Sequence, residues 1–345
     1  MEDTTIAVDL AKSVFQVAVS HRVGHVTSEH RLRRSQLMPF FAQQPAARVL
    51  LEACGSAHHW AREFQRLGHA PRLLPAHDVQ RYVRRNKTDR GDAKALLEAD
   101  RNDEIRAVPV KSIEQQAIVA LHVIRATWLS TRTARLNALR GVCREFGISI
   151  PVGAKRVIPA VRSQLGPDGP LPPIVHPALE ALCAEIVTLE AGIVAIEHQL
   201  AALAEQMPDV IRLQTIPGIG LLTASALVAR IGDASRFPDG RHFASALGLT
   251  AKEESSGLQR RLGGISKRGD SYLRMLLIHG ARSVLWNAKT KRDPDPLRAW
   301  ALRTQDRRGH NIATVALANK LARIVWAVWT RRGDYDRALP RPLTT

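Results

Sequence analysis

The first hundred residues alternate short apolar runs with turn residues. Three of these runs predict successive strands joined by short turns, at 5–10, 14–20 and 26–32. Helical patterns then alternate with strand-like runs. The helices are expected at 36–43 and 56–67, and the strands at 48–53 and 71–75. Strands and helices in this order predict an α/β domain, which we place at residues 1–108.

Two long helical patterns follow this domain. The first covers residues 110–146, and the second ends near residue 206. In the second, apolar residues keep a strict heptad spacing: Leu179, Leu182, Ile186, Leu189, Ile193, Ile196, Leu200 and Leu203. The Pro/Gly-rich stretch 151–173 between them predicts a loop. We therefore predict an antiparallel coiled-coil arm over residues 109–207. Its seam could pack within the chain, join two chains or belong to an ordinary helical core.

The last part of the chain, residues 208–332, is predicted to be a mostly helical domain, followed by a polar, disordered tail at 333–345. No segment offers 18 uncharged apolar residues, so no membrane span is expected. Three isolated cysteines exclude a CxxC zinc site and a disulfide framework, which fits a reducing cytoplasm.

The net charge of the chain limits the classes of partner that it is expected to bind. Fifty Lys and Arg against 32 Asp and Glu leave a formal charge of +18, and the isoelectric point is near 10.9. This excess favours nucleic acid as the partner, because neutralising phosphates releases counterions and gives strong binding. The alternative is a basic soluble protein whose arginine-rich surface reflects only a GC-rich genome.

Four carboxylates stand out against this positive background. Asp9 ends the first predicted strand, and Glu52 ends the fourth. Asp89 and Asp92 are three residues apart at the start of a helical pattern, so they share one helix face. Carboxylate oxygens gathered in this way are the ligands that Mg²⁺ prefers, and Mg²⁺ can stabilise both oxygens of a phosphodiester exchange. Three meandering strands followed by β–α alternation match the ribonuclease H-like order, which places the two strand-end acids side by side.

A glycine-rich turn in the third region is a candidate DNA contact. Residues 215–220 read Thr-Ile-Pro-Gly-Ile-Gly between two helical patterns, as in the hairpin of helix-hairpin-helix elements. Its glycines allow backbone N–H groups to approach a phosphate, so Pro217, Gly218 and Gly220 are predicted to bind DNA without sequence preference. The alternative is a helix–helix turn with no ligand.

A serine pair lies in a cationic segment further along. Ser255 and Ser256 precede a glycine, and four cations follow them in the sequence: Arg260, Arg261, Lys267 and Arg268. A hydroxyl nucleophile near bound phosphate is one interpretation. Ser-Ser-Gly is also a common loop composition, so this signal is weak when taken alone.

The ordered set of motifs resembles a known family: the DEDD transposases of the one-hundred-ten family of insertion sequences, with the eleven-eleven subgroup and the Piv/MooV DNA invertases. The resemblance covers nearly the whole chain, and it is carried by residues 7–12, 51–56, 86–93, 216–220, 255–257, 265–270 and 276–282. Each motif is moderately specific, whereas the ordered set is highly specific.

The resemblance implies a RuvC-like N-terminal domain in which Asp9, Glu52, Asp89 and Asp92 bind Mg²⁺, with Mn²⁺ as an alternative ion. It implies that Ser256, with Ser255 as second choice, attacks DNA and forms a transient phosphoserine link. It also implies a structured guide RNA from the element, and element ends and target DNA as substrates. The protein would be a homo-oligomer, a dimer or a tetramer, in the cytoplasm and associated with the nucleoid.

Two other classes remain open at this level. A junction-resolvase-type nuclease would hydrolyse DNA with water and would need only the four acids. A non-catalytic nucleic-acid-binding protein, such as a domesticated transposase, would need neither acids nor serine. The intact set of four acids counts against the second, because clustered carboxylates without a metal repel DNA.

Overall fold

The computed structural model describes residues 4–22, 25–83, 89–257, 259–290 and 295–336, without the side chains of residues 89 and 90. The chain forms two compact units. The first comprises residues 1–113 with 231–236, and the second comprises 114–230 with 237–345. The finer division predicted at residue 207 stays a prediction, and most of the predicted tail lies outside the described residues.

A five-stranded mixed sheet organises the first unit. Its strands are β1 (Thr5–Asp9), β2 (Val14–Ser20), β3 (Ser28–Arg33), β4 (Arg48–Glu52) and β5 (Ala70–Leu74). They lie in the order β3-β2-β1-β4-β5. The pairs β1/β2 and β2/β3 are antiparallel, whereas β1/β4 and β4/β5 are parallel. The predicted meander followed by β–α alternation is confirmed, with strand ends shifted by one or two residues.

Helices cover both faces of this sheet. They are α1 (Arg34–Ala42), α2 (Ala57–Arg66), α3 (Ala76–Val79) and α4 (Asp89–Asp100). Successive strand residues point to opposite faces, so Ile6 and Val8 join the core under α1 and α2, whereas Ala7 joins the core under α4. In β4, Leu50 likewise faces α4, while Val49 and Leu51 face the other side. This alternation decides where the strand-end acids point.

In the second unit, two long helices pack antiparallel. They are α5 (Ile113–Glu145) and α7 (His176–Glu205), which are linked by ion pairs Arg125–Glu197, Arg132–Glu190 and Arg135–Glu185. The heptad positions of α7 pack against α5 of the same chain: Ile196 and Leu200 lie with Ile118, and Leu179 and Ile186 lie with Leu136 and Leu139. At Gly192 the helices come so close that a Cβ would lie 2.6 Å from the Trp128 ring.

The loop predicted at 151–173 is wrong in part, because helix α6 (Ala154–Arg162) lies within it. This helix contains Pro159, which removes one backbone hydrogen bond and argues against a helix on local grounds. Val157 and Val161 lie one turn apart and are fully buried between α5 and α7. Burying two valines yields about 3 kcal/mol or more, which offsets the local cost of the proline.

The rest of the second unit is mostly helical. Its elements are α8 (Pro208–Gln214), α9 (Leu221–Ile231), α10 (Gly240–Ala246), β6 (Ala251–Glu253), β7 (Leu262–Ile265), α11 (Ser271–Ala288), α12 (Pro296–Arg308) and α13 (His310–Arg331). In the described part of the chain, α13 is long and apolar enough to cross a membrane. Half of its apolar stretch is buried, and it packs against α8, α10, α11 and α12, as a core helix does. The predicted α/β N-terminal part and helical C-terminal part are confirmed.

Candidate active site

Asp9 and Glu52 lie at the carboxyl ends of neighbouring parallel strands. Val8 pairs with Leu51, so the next residue of each strand is an acid. Asp9 follows Ala7 by two residues and Glu52 follows Leu50 by two, and both of those residues face α4. Strand alternation therefore directs both carboxylates to the α4 side of the sheet.

Helix α4 brings a third acid to that side. Its Ala95, Leu96 and Ala99 pack on the sheet, and Asp92 lies on the same helical stripe, three and four residues earlier. One carboxylate oxygen of Asp92, Oδ1, is buried without a hydrogen-bond partner in the described part of the chain. A buried oxygen of this kind is costly unless something binds it. Asp89 lies in the first turn of α4, but its side chain is outside the described residues.

The pKa of the Cys54 thiol reflects the negative charge of the acids at the strand ends. Burial first, and then the charges of Glu52 and Asp9, raise the pKa of Cys54. The charges of both carboxylates therefore reach the same sulfur atom and disfavour its thiolate form. Two carboxylates together attract a cation, and their oxygens are the donors that suit Mg²⁺.

The carboxylate oxygens of these acids are donors of the kind that a hard divalent ion prefers. Asp9, Glu52 and Asp92 are all on the α4 side of the sheet, and Asp92 Oδ1 has no hydrogen-bond partner in the described chain. No group of three or more His, Cys, Asp or Glu residues already spaced to hold a metal occurs among the described residues. The fourth predicted ligand, Asp89, is not among the side chains described.

The two serines lie on an exposed two-stranded hairpin formed by β6 and β7. Its turn follows Ser256, which pairs with Gln259 through two backbone hydrogen bonds of 3.2 and 3.1 Å. Gly257 takes φ = 56°, which an L side chain rarely adopts, so the turn needs a glycine at this position. Both serines, Arg260 and Arg261 are exposed to solvent.

The hydroxyl groups of the two serines differ in their contacts. Ser255 Oγ donates to Glu253 Oε1 at 2.8 Å and accepts from the Arg261 backbone N–H at 3.2 Å. Arg260 also contacts the Glu253 carboxylate, at 3.3 Å. Within the described part of the chain, the Ser256 hydroxyl makes no hydrogen bond. Ser255 therefore helps to shape the hairpin, whereas Ser256 presents a hydroxyl that is not engaged.

The cationic loop with Lys267 and Arg268 is held by close backbone contacts. A Cβ on Gly269 would lie 1.8 Å from the Ala246 carbonyl oxygen, and a Cβ on Gly248 would lie 2.1 Å from the Arg268 carbonyl oxygen. Arg274 donates to the Arg268 carbonyl oxygen at 3.0 Å. Both cationic side chains remain exposed, so this loop is a preformed cationic surface.

The glycine-rich turn has a packing role that its sequence did not reveal. Gly218 takes φ = 84° and packs against Gly280 of α11, where a Cβ on Gly280 would lie 2.0 Å from the Gly218 carbonyl oxygen. Gly220, by contrast, is exposed, and its carbonyl oxygen accepts hydrogen bonds from the N–H groups of Thr223 and Ala224 in the first turn of α9. Gly218 thus has a structural reason to be glycine, and Gly220 keeps its backbone open to a ligand.

Sequence analysis missed a buried polar network between α5, α9 and α11. His122 is fully buried, and its ring bonds to Tyr272 Oη and Ser225 Oγ, each at 3.0 Å. Arg230 lies over the Tyr272 ring and bonds to Asp270 at 2.8 Å, and Asp270 caps α11. This network holds the end of the cationic loop. In the sequence, the one local sign of this network is His122, a lone histidine among apolar residues of a helical pattern.

The comparisons with known proteins agree with these motifs. A family model described as "Transposase IS116/IS110/IS902 family" matches residues 211–294, and the DEDD model of the IS110 group, described as "Transposase", matches residues 6–147. DEDD transposases are in general metal-dependent.

Relatives of similar length share most of the chain. A Pseudomonas aeruginosa protein named "Probable family 20 transposase" is 43% identical over 97% of this chain and 99% of its own length. The transposase for insertion sequence element IS1111A of Coxiella burnetii is 40% identical over 97% of this chain and 92% of its own. The transposase for insertion sequence element IS1328 of Yersinia enterocolitica is 35% identical, over 95% and 97%. With acids at neighbouring strand ends, a serine hairpin and relatives that match almost end to end, the chain belongs to the IS110 family of insertion-sequence transposases.

Proposed function

We propose that this transposase is a DNA recombinase that combines a Mg²⁺ site, formed by Asp9, Glu52, Asp89 and Asp92, with a serine nucleophile, Ser256. The observation that carries the proposal is the shared face of Asp9, Glu52 and Asp92, with a buried Asp92 oxygen that has no hydrogen-bond partner in the described chain. Mn²⁺ would suit the same oxygen donors. The sheet order and the acid placement also support a RuvC-like fold for the first unit.

The chemistry is a pair of transesterifications. Ser256 Oγ forms a bond to phosphorus and gives its proton to solvent, while the bond from phosphorus to one bridging oxygen breaks and that oxygen takes up a proton. A strand hydroxyl then attacks the phosphoserine and gives its proton to solvent, and Ser256 takes up a proton as it leaves. The number of phosphate ester bonds is conserved in each step. Mg²⁺, when bound, stabilises the charge that develops on the attacking and leaving oxygens.

Ser256 is favoured over Ser255 by the contacts of the hairpin. A nucleophile needs a hydroxyl that can reach a phosphate, and Ser256 is exposed and not engaged within the described chain. Ser255 is already bound to Glu253. Replacing Ser255 is therefore expected to loosen the hairpin without removing the attacking atom.

Cationic surfaces in the second unit would hold the nucleic acids. Arg260 and Arg261 flank the serines, and Lys267 and Arg268 lie on the preformed loop. In the turn between α8 and α9, proposed as a helix-hairpin-helix element, Gly220 is exposed and can be approached by a phosphate, whereas Gly218 packs against Gly280 and Pro217 is half-buried. The substrates are the element ends and a target DNA, and a structured RNA from the element serves as guide.

The protein is proposed to act as a homo-oligomer, a dimer or a tetramer. The antiparallel pair of α5 and α7 is proposed as a coiled-coil arm that contributes to assembly. Its heptad seam is occupied within the chain, but apolar side chains on its outer surface are exposed, including Val187 and Val194, 49% and 51% exposed. Assembly would cover these side chains.

The test uses the full-length protein with Mg²⁺, element-end DNA and RNA transcribed from the flanks of its gene. A covalent protein–DNA adduct is sought on a denaturing gel for the wild type, Ser256→Ala, Ser255→Ala and Asp9→Asn. We expect the adduct with the wild type, a reduced amount with Ser255→Ala, and none with the other two variants. Omitting the RNA is expected to abolish it.

The outcomes distinguish attack by a serine from hydrolysis by water. Cleaved DNA without an adduct, unaffected by Ser256→Ala, would show a nuclease that uses water. An adduct that survives in Ser256→Ala but not in Ser255→Ala would transfer the nucleophile to Ser255. An adduct formed at full yield in EDTA would remove the metal from the mechanism.

A further inference from the structure

A large groove lies in the second unit between α12, α13 and the β6–β7 hairpin. Its volume is about 1310 Å³, above the ~300–1,000 Å³ of a typical small-molecule site. One wall comes from the exposed side of α13, including Ile312, Val315 and Lys320, and another comes from Gly263 and Gly264 of β7. The groove therefore adjoins the hairpin that carries the two serines.

The groove is strongly cationic. Five cations line it, against the two carboxylates Asp334 and Asp336: Arg241, Arg308, Lys320, Arg323 and Arg331. None of these five makes an ion pair within the described part of the chain, and the Arg323 Nε atom is buried without a hydrogen-bond partner there. Unpaired cations that crowd one another attract an anion.

The ammonium of Lys320 is held in place inside the groove. It lies 4.3 Å from the centre of the Trp300 ring, in a cation–π contact. Burial, and then the charges of Arg323 and Arg303, lower the pKa of Lys320. An anion bound beside Lys320 would relieve both effects.

Much of the remaining lining is apolar, beside the polar residues Thr250, Asn311 and Asn319. Leu297, Ile312, Ile324 and Val328 contribute aliphatic surface between the cations, and Ile312 is 53% exposed. A DNA duplex presents phosphates and base edges but keeps the flat faces of its bases stacked inside. An unpaired strand exposes those faces together with its phosphates, and single-strand sites combine a cationic groove with apolar and aromatic surface for this reason.

We propose that this groove binds an unpaired DNA strand, next to the phosphodiester that is presented to the hairpin serine. DNA is the occupant rather than RNA, because β7 forms both a wall of the groove and one strand of the serine hairpin, and the strand that reacts there is DNA. The inference rests on the proposed function for the role of the serine. The groove itself is argued from its charge and lining.

The experiment measures binding without chemistry. Full-length Ser256→Ala protein in EDTA is titrated with a labelled thymidine oligonucleotide of about 12 nucleotides, within the ~4–16 nucleotides of known single-strand sites. Arg308→Gln is compared with Arg307→Gln. These adjacent arginines are both exposed on the last turn of α12, but only Arg308 lines the groove. Lys320→Gln is the second groove variant.

We expect Arg308→Gln and Lys320→Gln each to weaken strand binding about three- to tenfold. Each should also reduce the slope of log affinity against log salt by about 0.7, the value for one lost phosphate contact on a single strand. Arg307→Gln should leave both quantities within error. The affinity for a duplex of matched sequence should change equally little in all three variants.

Several results would overturn the proposal. Equal losses in Arg307→Gln and Arg308→Gln would show a diffuse charge effect and no groove. A groove-dependent affinity for oligouridine with none for the DNA strand would assign the groove to RNA. A change in oligomer mass on Ile312→Asp would assign it to a second copy of the chain. Because the protein carries Ser256→Ala throughout, these results do not depend on whether the serine is the nucleophile.

Discussion

The imidazole Nδ1 of His122 and the phenol oxygen of Tyr272 lie 3.0 Å apart, joining α5 to α11 across 150 positions of sequence. Ser225 completes the site: its hydroxyl donates to the Leu221 carbonyl oxygen at 2.7 Å, so it accepts from His122 Nε2. Because burial lowers the pKa of His122 to about 4, the ring is neutral at pH 7, with its proton on Nε2 and with Nδ1 accepting from Tyr272. Arg230 and Arg125 disfavour a second proton.

The first prediction concerns pH and this histidine. Burial, and then Arg230 and Arg125, lower the pKa of His122 to about 4. The unfolded chain binds a proton near pH 6.5 and the native state does not. The stabilisation is therefore complete above pH 6.5 and declines as the pH falls towards 4, by about 3 kcal/mol in total.

This prediction is checked by urea unfolding at several pH values between 7 and 4. His122→Gln should reduce the stability at pH 7 and flatten the pH dependence relative to the wild type. His198→Gln, at an exposed position of α7, should leave the profile unchanged. If His122→Gln lowered the free energy of unfolding equally at every pH, the expected titration of His122 would be contradicted.

The second prediction concerns the contact between Gly218 and Gly280. Gly280→Ala would place a Cβ 2.0 Å from a backbone oxygen, which neither segment can vacate easily. We expect a loss of about 1–3 kcal/mol or more, as for other overpacked sites. Gly141→Ala, in α5 with no atom within 4 Å of the new Cβ, should instead stabilise the protein by up to about 1 kcal/mol. The urea midpoints of the two variants test whether the first change lowers the free energy of unfolding and the second raises it.

The third prediction concerns the metal, with a readout other than activity. Mg²⁺ should stabilise the wild type against thermal unfolding, by about 1.4 kcal/mol at ten times the dissociation constant. Asp9→Asn and Glu52→Gln should lose this response. In EDTA Glu52→Gln should be at least as stable as the wild type, because it removes one of two neighbouring like charges.

Glu98→Gln is the matched control for the metal experiment. Glu98 is an exposed acid on α4 that pairs with Arg101, away from the strand ends. Its removal should leave the Mg²⁺ response intact. Equal responses in Glu98→Gln and Asp9→Asn would mean that Mg²⁺ binds elsewhere.

The fourth prediction concerns assembly through α7. Val187 and Val194 are seven residues apart on one outer face, and both are about half exposed. Val187→Asp with Val194→Asp should lower the oligomer mass measured by light scattering, because assembly would bury the new charges. Gln199→Asp adds charge to the same helix at another exposed position and should not change the mass. An oligomer that tolerates both valine changes would form through another surface.

Local sequence determined most of the elements and the placement of the acids. Continuous apolar runs predict β1 and β4 as buried strands, and the order of strands and helices predicts that Asp9 and Glu52, at the ends of these strands, lie side by side. The heptad spacing of α7 likewise predicts a packed helix. The serine pair was recognised as a candidate nucleophile mainly through the ordered set of family motifs, because Ser-Ser-Gly alone is a weak signal, and the hairpin that carries it was not predicted.

Tertiary structure decided what those elements contact. Helix α6 forms despite Pro159 because α5 and α7 bury its valines, and Gly218 is glycine because Gly280 lies against it. The heptad seam is filled by α5 of the same chain, and Arg308 but not Arg307 lines the groove. Each of these facts depends on residues far apart in sequence that meet only when the chain folds. Local periodicity specifies which face of an element is apolar, but long-range packing selects the partner of that face.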